Sequence, residues 1–116
     1  MTGTILRISD SRSVELRFTA RRAEALENDL GDSLLRGLAK ADQVGVITKY
    51  IRHGADISKD EAYDLYDEYI DNGGSLNDLA EVVLEALENG GFISKKAAET
   101  AKKLKNQLED RAAQQS

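Results

Sequence analysis

The residues best placed to do chemistry lie between Asp56 and Asp67. Numbered as a calcium loop, Asp56, Ser58, Asp60, Asp64 and Asp67 fall at positions 1, 3, 5, 9 and 12. Such a loop needs glycine at position 6 for its sharp turn and a bidentate glutamate at position 12, and here Glu61 and Asp67 stand there. The same residues make a well-formed helix start, which is the better reading. His53 is the single histidine and cannot build a two-histidine metal site. Beside Gly54, at a predicted helix C-terminus, its imidazolium would meet the negative end of the helix dipole. No serine, cysteine or carboxylate is fixed next to it by a nucleophile motif. Gly73-Gly74-Ser75 before a helix has the outline of a phosphate turn, but Asn77, Asp78 and Glu81 follow where a lysine is needed. No residue is therefore expected to be catalytic, cofactor-binding or metal-ligating.

The elements that hold these residues are mostly helical. At the start, Ile5-Leu6-Arg7-Ile8 and Val14-Glu15-Leu16-Arg17-Phe18 flank a polar linker. Val14, Leu16 and Phe18 alternate with Glu15 and Arg17, the period of a half-buried strand, so a β-hairpin is expected. A lone hairpin is marginal in water, so its apolar face must pack on helices. Thr19 is the expected N-cap of a helix whose Leu26 and Leu30 face inward and which Gly31 ends. Asp32 or Ser33 opens a short helix through Leu34, Leu35 and Leu38. A third spans about 42–53, with Val44, Ile47, Tyr50 and Ile51 on one side and Gly54 as its stop.

The fourth helix begins at a capping box of Ser58 and Glu61. Ala62, Leu65, Tyr66, Tyr69 and Ile70 follow the amphipathic template, and Gly73-Gly74 ends it. Ser75 caps a fifth, with Leu76, Leu79, Ala80, Val83, Ala86 and Leu87 inward, up to Gly90-Gly91. So short a turn suggests an antiparallel pairing of the two. Ser94 caps a last helix, rich in Ala, Lys, Glu and Gln, whose large apolar side chains are only Leu104 and Leu108. The expected fold is mainly α: an N-terminal β-hairpin packed on a small bundle of about five helices, with a polar C-terminal helix. Residues 1–93 form the compact domain and 94–116 the polar helical tail.

Composition narrows the function classes. The 116 residues suit one domain, and no cysteine is present for disulfides, thiolate metal sites or cysteine nucleophiles. The net charge of −5 argues against general nucleic-acid affinity. Residues 55–91 hold eleven acids and only Lys59, whereas 92–116 hold six basic and three acidic groups. In that tail the lysines alternate with acids, as on a solvated helix rather than a nucleic-acid arm. No apolar run nears the roughly 20 residues of a membrane span, and no basic-then-apolar leader opens the chain. Binding is thus favoured over catalysis. Tyr63 falls off the inward stripe and is the first candidate partner contact, with Tyr50, Ile51, Leu104 and Leu108 as further ones.

One resemblance covers about residues 14–92. The strand Val14-Glu15-Leu16-Arg17-Phe18-Thr19 runs into a helix ending Leu26-Glu27-Asn28-Asp29-Leu30-Gly31, then Ser33-Leu34. Val44-Gly45-Val46-Ile47-Thr48-Lys49-Tyr50-Ile51 follows, then Ile57-Ser58 with Ala62, Leu65 and Tyr69. In length, order and local wording the chain resembles the small tail assembly chaperones of long-tailed phages, prophages and gene transfer agents. That resemblance implies a non-enzymatic protein of the host bacterial cytoplasm, without cofactors, working as a homo-oligomer. Its implied partners are the tape-measure protein, which such chaperones coat, and the tail tube protein, which displaces them. An acidic helical adaptor or regulatory module binding a host protein is the alternative, and an enzyme using helix-borne carboxylates is a third.

Overall fold

A computed structural model describes residues 3–100 and Lys103. The chain is mainly helical, with one N-terminal antiparallel hairpin. Strands β1 (Thr4–Arg7) and β2 (Ser13–Leu16) pair Thr4 with Leu16 and Leu6 with Val14. The alternation works as expected: Leu6, Ile8, Leu16 and Phe18 are buried, while Ile5, Arg7, Glu15 and Arg17 face out. The backbone N–H groups of Ile8 and Ser9 both donate to the Arg12 carbonyl, closing the polar linker.

Five helices follow, and a sixth begins: α1 (Ala20–Leu30), α2 (Leu34–Gly37), α3 (Val44–Ala55), α4 (Lys59–Asp71), α5 (Leu76–Asn89) and α6 (95–100 among the described residues). A single 3-10 turn, Leu38–Lys40, leads from α2 toward α3. The expected caps form. Side-chain oxygens of Thr19, Ser33, Ser58, Ser75 and Ser94 accept from the backbone N–H three residues on, satisfying donors a helix start leaves orphaned. At Ser58 the box is reciprocal, since Glu61 Oε1 accepts from the Ser58 N–H. That hydroxyl and that carboxylate are committed to the helix start, as the helix reading of this segment requires.

α3 is the hub. α1, α4, α5 and β2 all pack on it, and β1 lies along α5. α4 and α5 each dock on α3, and more closely there than on one another. Ile47, Thr48, Tyr50, Ile51 and Gly54 of α3 are buried. Val44, in the open first turn, is 43% exposed, so the inward stripe starts at Ile47.

Gly54 does not stop α3. The helix runs to Ala55, and Asp56 takes the left-handed conformation (φ 58°), its N–H donating to the Arg52 carbonyl. Gly54 instead sits where α3 crosses the end of β2. A Cβ there would lie 2.9 Å from Phe18 Cζ, and the Arg17 N–H donates to the Gly54 carbonyl at 2.8 Å. Glycine is needed for a close approach, not for a turn.

On α4 only Ala62 and Leu65 are fully buried; Tyr66, Tyr69 and Ile70 are half-buried. α5 is the more apolar helix, burying Leu79, Ala80, Val83, Leu84, Ala86 and Leu87. Its end is tied to the hairpin by Asn89 Nδ2 donating to Thr4 Oγ1 at 2.6 Å. Ala98 of α6 is 1% exposed. Among the described residues no helix is long and apolar enough to cross a membrane.

Candidate functional site

Two surfaces combine unusual side chains with an indentation. The first lies between the C-terminal halves of α1 and α3 and the start of α4. Asp29 Oδ2 accepts from His53 Nε2 at 2.9 Å and from Arg52 Nη1 at 3.2 Å, and Lys49 Nζ donates to the Asp29 carbonyl at 3.1 Å. An ionised carboxylate only accepts, which assigns the imidazole proton in this bond to Nε2. Burial opposes ionisation of Asp29, but the His53 hydrogen bond and the charges of Lys49, His53 and Arg52 outweigh it. The net effect holds the Asp29 carboxyl below its ordinary value.

An aspartate orienting a histidine is half of a nucleophilic triad, and the missing half decides its use. The aliphatic hydroxyl in the adjoining cleft belongs to Thr48, which is 2% exposed and donates to the Val44 carbonyl at 2.7 Å. The cleft itself, between Asp29, Lys49, Arg52, Lys59 and Tyr63, encloses only about 20 Å³, room for about one water and not for a substrate. The Asp29–His53 pair therefore acts as a clamp between α1 and α3. His53 thus has a carboxylate partner on another helix, beyond its expected place near the end of α3.

Tyr63, the first candidate contact, is 37% exposed at the lip of this cleft. Tyr50 and Ile51 are not surface contacts. Both are fully buried, because the inward stripe of the hub helix carries them into the core. The Tyr50 hydroxyl donates to the Leu34 carbonyl, and burial, reinforced by the charges of Asp32 and Glu27, pushes its ionisation well above the ordinary tyrosine range. Leu104 and Leu108 lie outside the described residues.

The second surface is a groove of about 400 Å³ between α1 and α2. Ala20, Ala23, Glu24 and Glu27 of α1 form one wall, Ser33, Leu34 and Leu35 the other, and Phe92 completes the lining. Leu34 is 6% exposed, whereas Leu35 is 51% exposed. The α2 wall is held from two sides. The Leu34 N–H donates to Glu27 Oε2 at 3.1 Å, and the Leu34 carbonyl takes the Tyr50 hydroxyl. Gly37 leaves space for that hydroxyl, which a Cβ would meet. A surface so braced is pre-organised for a partner.

Sequence reading missed this groove. Its signal was the Leu34-Leu35 pair: adjacent helical positions point about 100° apart, so a helix that packs on one neighbour cannot bury both. Among the described residues no three His, Cys, Asp or Glu side chains converge as a metal site would require. No family model, curated protein or solved structure matches the chain.

Proposed function

We propose that this chain is a tail assembly chaperone of a long-tailed phage or prophage. In this reading it holds the tape-measure protein through short apolar contacts, without catalysis, until tail tube subunits replace it. The observation that carries the reading is the α1–α2 groove, where a braced wall presents Leu35 at 51% exposure. A cleft that holds an apolar side chain for a visiting helix is what such work requires. The family resemblance over residues 14–92 supplies the identity of the visitor. Self-association would multiply individually weak contacts along a long partner.

The test is co-expression with a candidate tape-measure protein. A soluble tape measure that co-purifies with this chain supports the reading; an insoluble tape measure, with this chain purifying alone, overturns it. The adaptor reading rests on a different surface. Asp60, Asp64, Asp67 and Asp71 stand exposed along α4, an acidic face suited to a basic protein.

A further inference from the structure

We infer that the α1–α2 groove seats a helical segment of the partner carrying an apolar stripe flanked by lysine or arginine. This rests on the reading of the protein as one that holds another chain, and it specifies which surface does so and what chemistry fits it.

Three features of the groove select that occupant. The first is charge. Its lining is Ala20, Ala23, Leu34, Leu35, Phe92 and Ser33, and its only charged members are Glu24 and Glu27. Glu24 is exposed, and Glu27 is half-buried while its carboxylate accepts from the Leu34 N–H. A cation beside the apolar stripe would meet two carboxylates, and an acidic flank would be repelled by both.

The second feature is backbone chemistry. α1 pairs its mid-segment N–H and C=O groups internally, and on the α2 wall the Leu34 N–H and C=O are already taken by Glu27 and Tyr50. An extended strand laid here would find no ladder for its own backbone groups, whereas a helix arrives with its own satisfied. The third is length. α1 has 11 residues, or about 16 Å at a rise of ~1.5 Å per residue, the length of three helical turns. That accommodates anchors at i, i+3 or i+4, and i+7.

The same charge argument disfavours the α4 and α5 faces of a second copy, while the basic segment 92–116, with Leu104 and Leu108, is an alternative occupant that crosslinking separates. α4 and α5 lie within the stretch of eleven acids and one lysine, so their outer faces carry the wrong sign for a wall made of Glu24 and Glu27.

The probe is a synthetic amphipathic peptide of about 18 residues, long enough to exceed the groove by some two turns. It carries leucines at i, i+3, i+4 and i+7 with lysines on either side, and its control has glutamates in place of the lysines. Titrated into the full-length chain, the lysine peptide should shift backbone amide resonances of Ala20, Ala23, Ser33 and Leu35. The glutamate peptide should bind at least tenfold more weakly. Leu35→Asp should cut lysine-peptide affinity about tenfold or more, as loss of a central apolar anchor does. Glu24→Lys should narrow or invert the preference between the peptides. Equal binding of both peptides, or shifts confined to other surfaces, would overturn the assignment.

Because the chain has no cysteine, Leu35→Cys carrying a benzophenone label marks a single site. With peptide present, a peptide adduct supports the proposal. A predominant adduct to a second copy or to the chain's own C-terminal segment overturns it. Co-expression separates this inference from the chaperone reading. If Leu35→Asp still holds the tape measure, the groove assignment fails and the chaperone reading stands. If the lysine peptide occupies the groove but the tape measure is never held, the chaperone reading fails and the groove assignment stands.

Discussion

α3 and α2 both carry apolar side chains at close spacing, yet they meet different fates. α3 has 12 residues and is approached by α1, α4, α5 and β2, so every residue of its inward stripe from Ile47 onward finds cover. α2 has four residues, one turn; it packs on α1 and the 3-10 turn that follows it, and takes the Tyr50 hydroxyl from α3. Leu34 is covered there, but its neighbour Leu35 is left 51% exposed. Burial is decided by how many neighbours a helix face meets, not by how apolar its residues are. A face with one neighbour is available for another.

The comparison breaks most decisively in the core. Leu65→Asp and Leu79→Asp each place a carboxylate where exposure is now zero, on the helices that dock against the hub. Burying an unpaired charge costs several kcal/mol, against a total stability of about 5–15 kcal/mol for a domain. Neither variant should give a cooperative thermal transition by circular dichroism. Unchanged melting in both would mean that α4 and α5 do not face α3.

Next in size is Leu34→Ala. The side chain is 6% exposed, and truncating a buried leucine costs about 2–5 kcal/mol. Denaturant unfolding should place it near the lower end, because the hydrogen bonds at Leu34 are made by its backbone and survive. A loss below about 0.5 kcal/mol, within the range of an ordinary surface change, would show that the groove floor is not part of the core.

How far the fold could be read from the sequence follows from the range of each interaction. The caps at Thr19, Ser33, Ser58 and Ser75 were legible because a hydroxyl and an N–H three residues apart need nothing beyond the local chain. The alternation of Val14 to Phe18 was legible for the same reason. Gly54 was misread because a glycine near a helix end resembles a stop, and only the Phe18 ring, 36 positions away in sequence, reveals it as a crossing point. Tyr50 and Ile51 have the aromatic and apolar character of contacts, yet their own stripe points inward. The groove itself joins residues 20–35 to Phe92, a juxtaposition that no local pattern encodes.

Gly54→Ala tests that crossing. The new methyl must push the Phe18 ring, itself fully buried, from a 2.9 Å approach. Overpacking of this kind costs ~1–3 kcal/mol, partly offset by the better helix propensity of alanine. A net loss of about 1 kcal/mol is expected in denaturant unfolding. A stabilised variant would show that the helix and strand separate there at little cost.

The clamp between α1 and α3 should respond to pH. Because Asp29 ionises more readily in the folded chain, its contribution is present above the unfolded value of 3.8 and is lost as pH falls through the lower folded value. Asp29→Asn should cost about 1 kcal/mol at neutral pH, the scale of one part-buried hydrogen-bonded pair. The gap between the two proteins should begin to narrow as pH falls below 3.8 and close only below the lower folded value, where both lack the carboxylate charge. A gap that stays constant into acid would mean that the Asp29 charge does not support the fold.

The smallest effect is the one that most sharpens the contrast with the hub. Leu35→Ala removes as many atoms as Leu34→Ala, one position along the same turn, yet its side chain already meets solvent over half its surface. Truncation there forfeits little buried area, so stability should change by less than about 0.5 kcal/mol. The pair therefore separates two roles that composition gives identically: Leu34 fastens α2 to the molecule, and Leu35 is free to fasten something else. Equal losses at both positions would mean that Leu35 is covered within the folded chain itself, and the groove would then have no vacancy for a partner.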